Sequence, residues 1–175
     1  MKSNFDIQIR PEREEDYLQI RELVEEAFAR ADHSDGDEQN LIERIRQAPE
    51  YIPELSLVAV SGAAVLGHVM LSRITIGQAD AVALAPLAVI PSRQREGIGK
   101  LLVDAGHAQA RKMRYACSVV LGDPRYYSRF GYEMASRFGI IPPFDVPEGY
   151  YMACILGRCG SVPKGCVKYS KAFGL

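Results

Sequence analysis

The apolar run from Ala81 to Ile90, punctuated by Pro91-Ser92 and followed at once by Gln94-Arg95-Glu96-Gly97-Ile98-Gly99, constrains this chain more than any other segment. The run is long and apolar enough for a buried strand, and the punctuation gives the following amphipathic helix a defined start. The first turn of a helix carries N–H groups without intrahelical partners at the positive end of the macrodipole, so an anion there is hydrogen-bonded and electrostatically favoured together. Gly97 and Gly99 remove the Cβ atoms that would block close approach. Arg93, Arg95 and Lys100 add cationic reach, arginine being suited to bidentate contact with phosphate oxygens. The segment reads as a diphosphate cradle. It is neither a P-loop, since Leu101 stands where Ser or Thr is required after Gly99-Lys100, nor a dinucleotide fingerprint, since Leu102 stands where the third glycine belongs.

A coarse reading of the rest gives an alternating architecture. Asp6 to Arg10 is a strand ended by Pro11, and Glu14 to Ala31 carries Tyr17, Ile20, Val24, Ala27 and Phe28 on one helical face. A second helix runs from about Asp37 to Gln47. Strands follow over Leu55 to Val60, Val65 to Ile76 and Asp80 to Ile90, joined by turns at Ser61-Gly62 and Gly77-Gln78. The central helix, Gly97 to Met113, is expected to turn Ile98, Leu101, Leu102, Ala105 and Met113 to the sheet, with His107 exposed or at a helix edge. Ser118 to Leu121 is a short strand that breaks at Gly122-Asp123-Pro124, after which one helical turn carries Tyr126 and Tyr127 and ends at Gly131. Residues 137 to 149, with three prolines, read as a long loop before a last strand, Tyr151 to Leu156.

The pair of motifs in this order resembles the GNAT-type N-acetyltransferase superfamily, in its bacterial YhbS-like branch. There, Q/R-x-x-G-x-G/A opening a helix precedes a further strand and a tyrosine four residues before a Gly-aromatic pair. Gln94, Gly97 and Gly99 match the first pattern, and Tyr127, Gly131 and Tyr132 the second. Wording such as LGDPRYYSRFGY and the closing Gly165-Cys166-Val167-Lys168-Tyr169 extend the likeness over nearly the whole chain. The resemblance implies an α/β (α+β) fold: a mixed, largely antiparallel central sheet of about six or seven strands flanked by helices, its two central strands splayed apart. One domain is expected over 1–175, with 1–50 as strand plus two helices, 51–135 as cofactor-binding core and 136–175 as closing loop and strands.

The resemblance further implies acetyl-CoA as cosubstrate, its diphosphate held by Gln94, Arg95, Glu96, Gly97, Ile98, Gly99 and Lys100, and its pantetheine arm by the backbone of Leu87, Ala88 and Val89. Pro86 suits that picture, because a proline inside a strand removes a ladder hydrogen bond and favours a bulge or an edge. Acetyl transfer to an amine passes through an oxyanion and expels a thiolate. Tyr127 is the expected general acid to that thiolate, where placement matters more than acidity, and backbone N–H groups near Leu87 to Val89 are the implied oxyanion donors. Tyr126 is read as core or substrate-facing. The family's frequent strand carboxylate is missing from Ala81 to Ile90, and its asparagine before the tyrosine turn is replaced by Gly122-Asp123-Pro124. The base must then come from elsewhere: Glu38 first, with His33 and Asp123 behind it, and His68 read as a sheet residue.

A formal net charge of −1 gives no general attraction to nucleic acid or to an anionic membrane. No apolar stretch reaches membrane-spanning length and the first residues lack a signal-peptide core, so a cytoplasmic location is expected. Cysteines 117, 154, 159 and 166 form no C-x-x-C pair, and the histidines are scattered, which argues against a metal site and for reduced thiols. The acceptor is an unidentified amine, of a small molecule, peptide or protein, and the protein is expected to be a monomer or homodimer. Acidic residues in Glu12 to Asp16, Glu22 to Glu26 and Asp32 to Glu38 suit either a cationic acceptor or solvated helix faces. Two rival readings stand beside direct transfer: a non-catalytic acyl-CoA sensing domain, and transfer through a Cys117 intermediate with Arg114 as activator.

Overall fold

The computed structural model describes residues 7–29, 31, 34–147, 149–157 and 162–175. Nine strands and four helices follow one another as β1 (Gln8–Pro11), α1 (Tyr17–Phe28), α2 (Glu38–Arg46), β2 (Ser56–Ser61), β3 (Ala64–Ile76), β4 (Ala79–Val89), α3 (Ile98–Lys112), β5 (Cys117–Leu121), α4 (Pro124–Tyr127), β6 (Glu133–Met134), β7 (Ile140–Ile141), β8 (Tyr151–Ile155) and β9 (Gly165–Lys168) among the described residues. Seven of the strands line up as β1-β2-β3-β4-β5-β8-β6, while β9 pairs with the far end of β3 and β7 with β9. Among the described residues only β4–β5 and β7–β9 are parallel. The sheet is therefore mixed and largely antiparallel, as expected, with two more short strands than anticipated.

Both faces of the sheet are covered, and the strands alternate accordingly. Leu57, Ala59, Val69 and Leu71 join Ile98, Leu102, Val103 and Ala110 of α3 in one core. Val58, Val60 and Met70 point the other way, onto Ile20, Leu23 and Val24 of α1 and Ile42 and Ile45 of α2. Double burial explains why β2 and β3 read as continuous apolar runs. Each such side chain, fully buried, contributes about 1.5–3 kcal/mol. A third core, built from Ala83, Val119, Ile140, Tyr151 and Val167, closes the C-terminal part against the same sheet.

Three expectations are corrected. The buried stripe of α3 is Ile98, Leu102, Val103, Gly106, His107 and Ala110; Leu101 and Met113 are exposed. The i, i+4 series begun at Ile98 fixes the stripe, and His107 falls inside it because its ring finds a buried partner. The stretch from 137 to 149 contains β7, and Tyr151–Ile155 is not the last strand: β9 follows, Thr75 facing Lys168 and Ile76 facing Val167. Short strands carrying Gly165 and Lys168 lack the apolar alternation that marks longer ones.

The sheet opens where it matters. β4 and β5 pair at Val82↔Ser118 and Ala83↔Val119, and beyond Ala83 the ladder stops. Opposite, Leu84 faces Leu71 and Leu87 faces Val69, so Ala85 and Pro86 together stand against Met70 alone. That two-against-one arrangement is a β-bulge, and Pro86, which has no N–H to give to a ladder, sits inside it.

Candidate active site

The cleft begins at the N-terminus of α3. No side chain caps this helix, and Gly97 holds its N-cap position at φ 86°, a conformation glycine adopts without penalty. The free first-turn N–H groups thus face a cavity of about 550 Å³ lined by Arg93, Gln94, Arg95, Lys100 and Arg129. Gln94 ties the loop to the strand, its side-chain amide donating to the Val89 carbonyl at 3.1 Å. Arg93 pairs with Glu96, and Lys100 with Asp104. Uncapped amides, glycines and surrounding cations fit a diphosphate.

The next wall is the free edge of β4. The Ile90 N–H donates to the Leu66 carbonyl at 2.9 Å, and in the register Gly67↔Val89 and His68↔Ala88 antiparallel alternation turns the backbone groups of Ala88 toward β3. Those of Leu87 and Val89 turn away from it, toward the side that β5 has left. Leu87 and Val89 line the cavity. Ala88, expected beside them, is committed to β3, with its side chain buried against α1 and α2. The Glu96 side chain is likewise turned to Arg93 rather than into the cavity, and the Ile98 side chain belongs to the core, leaving its backbone to the cradle.

Past Leu87 the cleft continues into a chamber of about 610 Å³ between Leu84–Leu87 and Val120–Asp123, walled also by Glu38, Tyr126 and Tyr127. Tyr126 and Tyr127 line both cavities. Their rings meet edge to face at 5.0 Å, Tyr126 putting its hydroxyl beside Gly99. The Tyr127 ring stands edge-on to Tyr132 at 5.7 Å and lies against Gly122, where a Cβ would come within 2.7 Å of Cδ2. Burial first, and Tyr126 second, hold the Tyr127 phenol well above its ordinary value near 10. Beneath it Tyr132 is fixed by the His107 ring at 2.9 Å and the Ser118 hydroxyl at 2.7 Å. Burial, helped by Arg111, pushes His107 down to about 4, so it is a neutral structural imidazole. Glu38 reaches the chamber from the first turn of α2, with Oε2 buried and without a hydrogen-bond partner among the described residues.

Of the remaining candidates among the described residues, Asp123 alone lines this chamber, and its carboxylate is already engaged. His33 lies outside the described residues. Asp123 caps α4, accepting from the Arg125 N–H at 2.8 Å and forking onto its guanidinium. His68 is fully buried between Ser56 and Glu12 on the α1/α2 side of the sheet. Cys117 is buried, and burial pushes its thiol up to about 12, which removes the thiolate that a covalent route requires. No group of three His, Cys, Asp or Glu side chains among the described residues is arranged to hold a metal ion, and no helix among them is long and apolar enough to cross a membrane.

Sequence reasoning missed Arg129, whose guanidinium stacks over Tyr126 at 4.7 Å and donates to its carbonyl. The signal was its place three residues after Tyr126 in a helical turn. It also missed Gly122, read only as a turn former.

The sequence profile of the acetyltransferase (GNAT) domain matches residues 8–135. This chain belongs to the GNAT acetyltransferase family. Its relatives include the uncharacterised N-acetyltransferase YjhQ of Escherichia coli K12, 34% identical over 138 residues, 76% of this chain and 74% of YjhQ. YhbS of the same strain is 39% identical over 75 residues, 42% of this chain and 45% of YhbS. Two solved GNAT structures match nearly end to end. One is an acetyltransferase from Brucella melitensis in complex with acetyl-CoA, 34% identical with a TM-score of 0.79 over 95% of this chain and 97% of its own. The other is E. coli YhbS in complex with CoA, 27% identical with a TM-score of 0.87 over 100% and 96%.

Proposed function

We propose that this acetyltransferase moves the acetyl group of acetyl-CoA to a primary amine by direct attack, with Tyr127 as general acid and Glu38 as base. One observation carries the reading: an unpaired buried carboxylate oxygen and a phenol that makes no hydrogen bond among the described residues line the same chamber, which runs on from the cradle. Acetyl-CoA and CoA in the two GNAT structures support the choice of cosubstrate. Arg93, Arg95, Lys100, Arg129 and the first-turn amides of α3 hold the diphosphate. The cosubstrate supplies an activated thioester carbonyl.

The chain's own groups do the rest. Leu87 and Val89, whose N–H groups face the cleft, donate to the oxyanion that develops as the amine nitrogen bonds to the carbonyl carbon. Glu38 takes the proton that this nitrogen must lose. Tyr127 gives its proton to the sulfur as the C–S bond breaks, and recovers one from solvent. The raised phenol does not forbid this last step, because the burial that disfavours a phenolate disfavours a thiolate in the same cleft.

The test is acetyl-CoA calorimetry beside amine-dependent thiol release for wild type, Tyr127→Phe and Glu38→Gln. The expected result is unchanged affinity with kcat lower by about a hundredfold in Tyr127→Phe and about tenfold or more in Glu38→Gln. Failure to bind acetyl-CoA sinks the reading. Binding without release from any amine assigns the cleft to a non-catalytic acyl-CoA sensor.

A further inference from the structure

The gap between β4 and β5 does not end at Glu38 and Tyr127. It continues into a second chamber of about 400 Å³ that shares Leu41, Leu84, Val120 and Leu121 with the first. Its far walls are aromatic. Phe144 and Tyr169 stand 6.1 Å apart, ring centre to ring centre, and Tyr169 and Phe173 4.8 Å apart. The Tyr169 hydroxyl is within 2.9 Å of the Tyr151 hydroxyl and so is engaged, leaving its ring to the chamber. Asp35 is the one charged side chain on these walls among the described residues. Leu121, at the end of β5, is 52% exposed although it caps an apolar strand, because it faces this gap.

These walls sort the acceptors. An apolar group placed here leaves water and gains dispersion contacts with the rings. A hydroxyl placed here gives up its hydration with little to replace it, and a second ammonium finds a side-chain counter-ion among the described residues only at the exposed Asp35. The polar end of the same passage is different, since the buried Glu38 Oε2 lacks a partner among the described residues and suits an amine nitrogen. We propose that the acceptor is a primary monoamine bearing an aromatic or similarly bulky apolar group. Its nitrogen lies at Glu38 and its apolar group among Phe144, Tyr169 and Phe173. This rests on the amine-transfer reading above. It separates arylalkylamines from polyamines, aminoglycosides and amino sugars.

Thiol release from acetyl-CoA would be measured with phenethylamine, spermidine and glucosamine, for wild type, Phe173→Ala and Leu121→Glu. Leu121 is exposed, so that substitution keeps the fold even if Phe173→Ala loosens it, and thermal melts report both. The expected kcat/KM for phenethylamine exceeds that of the other two by at least about tenfold, the scale of discrimination an apolar pocket supplies. Each variant lowers it by about tenfold, chiefly through KM, with the acetyl-CoA Kd from calorimetry within about twofold of wild type. Equal or better turnover of spermidine or glucosamine overturns the proposal while leaving amine transfer intact, as does an unchanged preference in both variants. No acetyl-CoA binding, or no release from any amine, overturns amine transfer and this proposal together.

Discussion

Tyr127 is a phenol whose protonated form is favoured by its surroundings. Burial and Tyr126 both raise it above the ordinary tyrosine range. If it acts as the acid, it stays competent through the pH interval where an exposed tyrosine would ionise. The alkaline side of the kcat profile is therefore expected to stay flat to about pH 10. A fall centred well below that value would assign the proton donor to another group. The opposite logic applies to Cys117. Its thiol, pushed up to about 12 by burial, is expected to resist alkylation at pH 8 while the exposed Cys166 reacts. Peptide mapping after iodoacetamide checks both sites, and loss of activity that tracks Cys117 labelling would revive the covalent route. At this scale the sequence was a fair guide to where Tyr127 sits, because its spacing to Gly131 places it on one short turn. It ranked Glu38 first as base without showing that the carboxylate is buried, and it gave no sign of the place of Glu12. Both are acidic residues in acidic surroundings, and only the fold separates a carboxylate buried in a cleft from one clamped by an arginine.

At the scale of elements, the strand, loop and helix from β4 to α3 were legible because each boundary has a local chemical cause: a proline, a glycine, an apolar period. The α4 turn was legible for the same reason, with Asp123 accepting from the Arg125 N–H at its start and Gly131 at φ 85° after the 3₁₀ turn that follows. Hidden from the sequence was the contact between neighbours across that turn. Gly122 ends β5 with no Cβ, so the Tyr127 ring can lie against the backbone. Gly122→Ala would place a carbon within 2.7 Å of that ring. The ring must shift, and a shift of an ångström at a reacting centre costs rate far more than it costs fold. The expected outcome is a kcat lower by about tenfold or more, an acetyl-CoA affinity within about threefold of wild type, and a stability loss of about 1–3 kcal/mol. Unaltered kcat would mean that Tyr127 is not held by this contact. That Leu87 and Val89, but not Ala88, turn their backbone groups to the open side was equally unreadable, since which residues of a strand face its partner depends on register.

Across the whole molecule, the fold is clamped by a charged cluster that has no part in the cleft. Glu12, just past β1, receives both guanidinium contacts of Arg46 from the end of α2, at 2.9 and 2.8 Å, and the Tyr51 hydroxyl at 2.8 Å. Its Oε2 is also 3.1 Å from His68 Nε2 of β3. Arg46 in turn stacks over Tyr17 of α1 at 3.7 Å. Arg46 of α2, Tyr51 and His68 of β3 meet on one carboxylate whose side chain is fully buried. Asp16 is similarly held by Arg10, so the acidic stretch from Glu12 to Asp16 serves in part as internal pairing rather than as bait for a cationic acceptor. Burial alone would raise the Glu12 carboxyl, but hydrogen bonds from Arg46 and His68, with their charge, outweigh it and hold it well below the ordinary range. A depressed folded-state value means stability that is fully present above the unfolded glutamate value, about 4.3, and is lost as pH falls through the folded one. Glu12→Gln removes the charge and leaves Arg46, 11% exposed, without its counter-ion. Breaking a buried pair in this way costs about 3 kcal/mol, or roughly 6–12 °C in Tm for a chain of this size. Thermal melts at pH 7 are expected to show that drop, and melts from pH 5 downward a shallower acid slope in the variant than in wild type. Equal slopes would mean that the carboxylate titrates alike in both states and that the clamp holds by shape, not by charge.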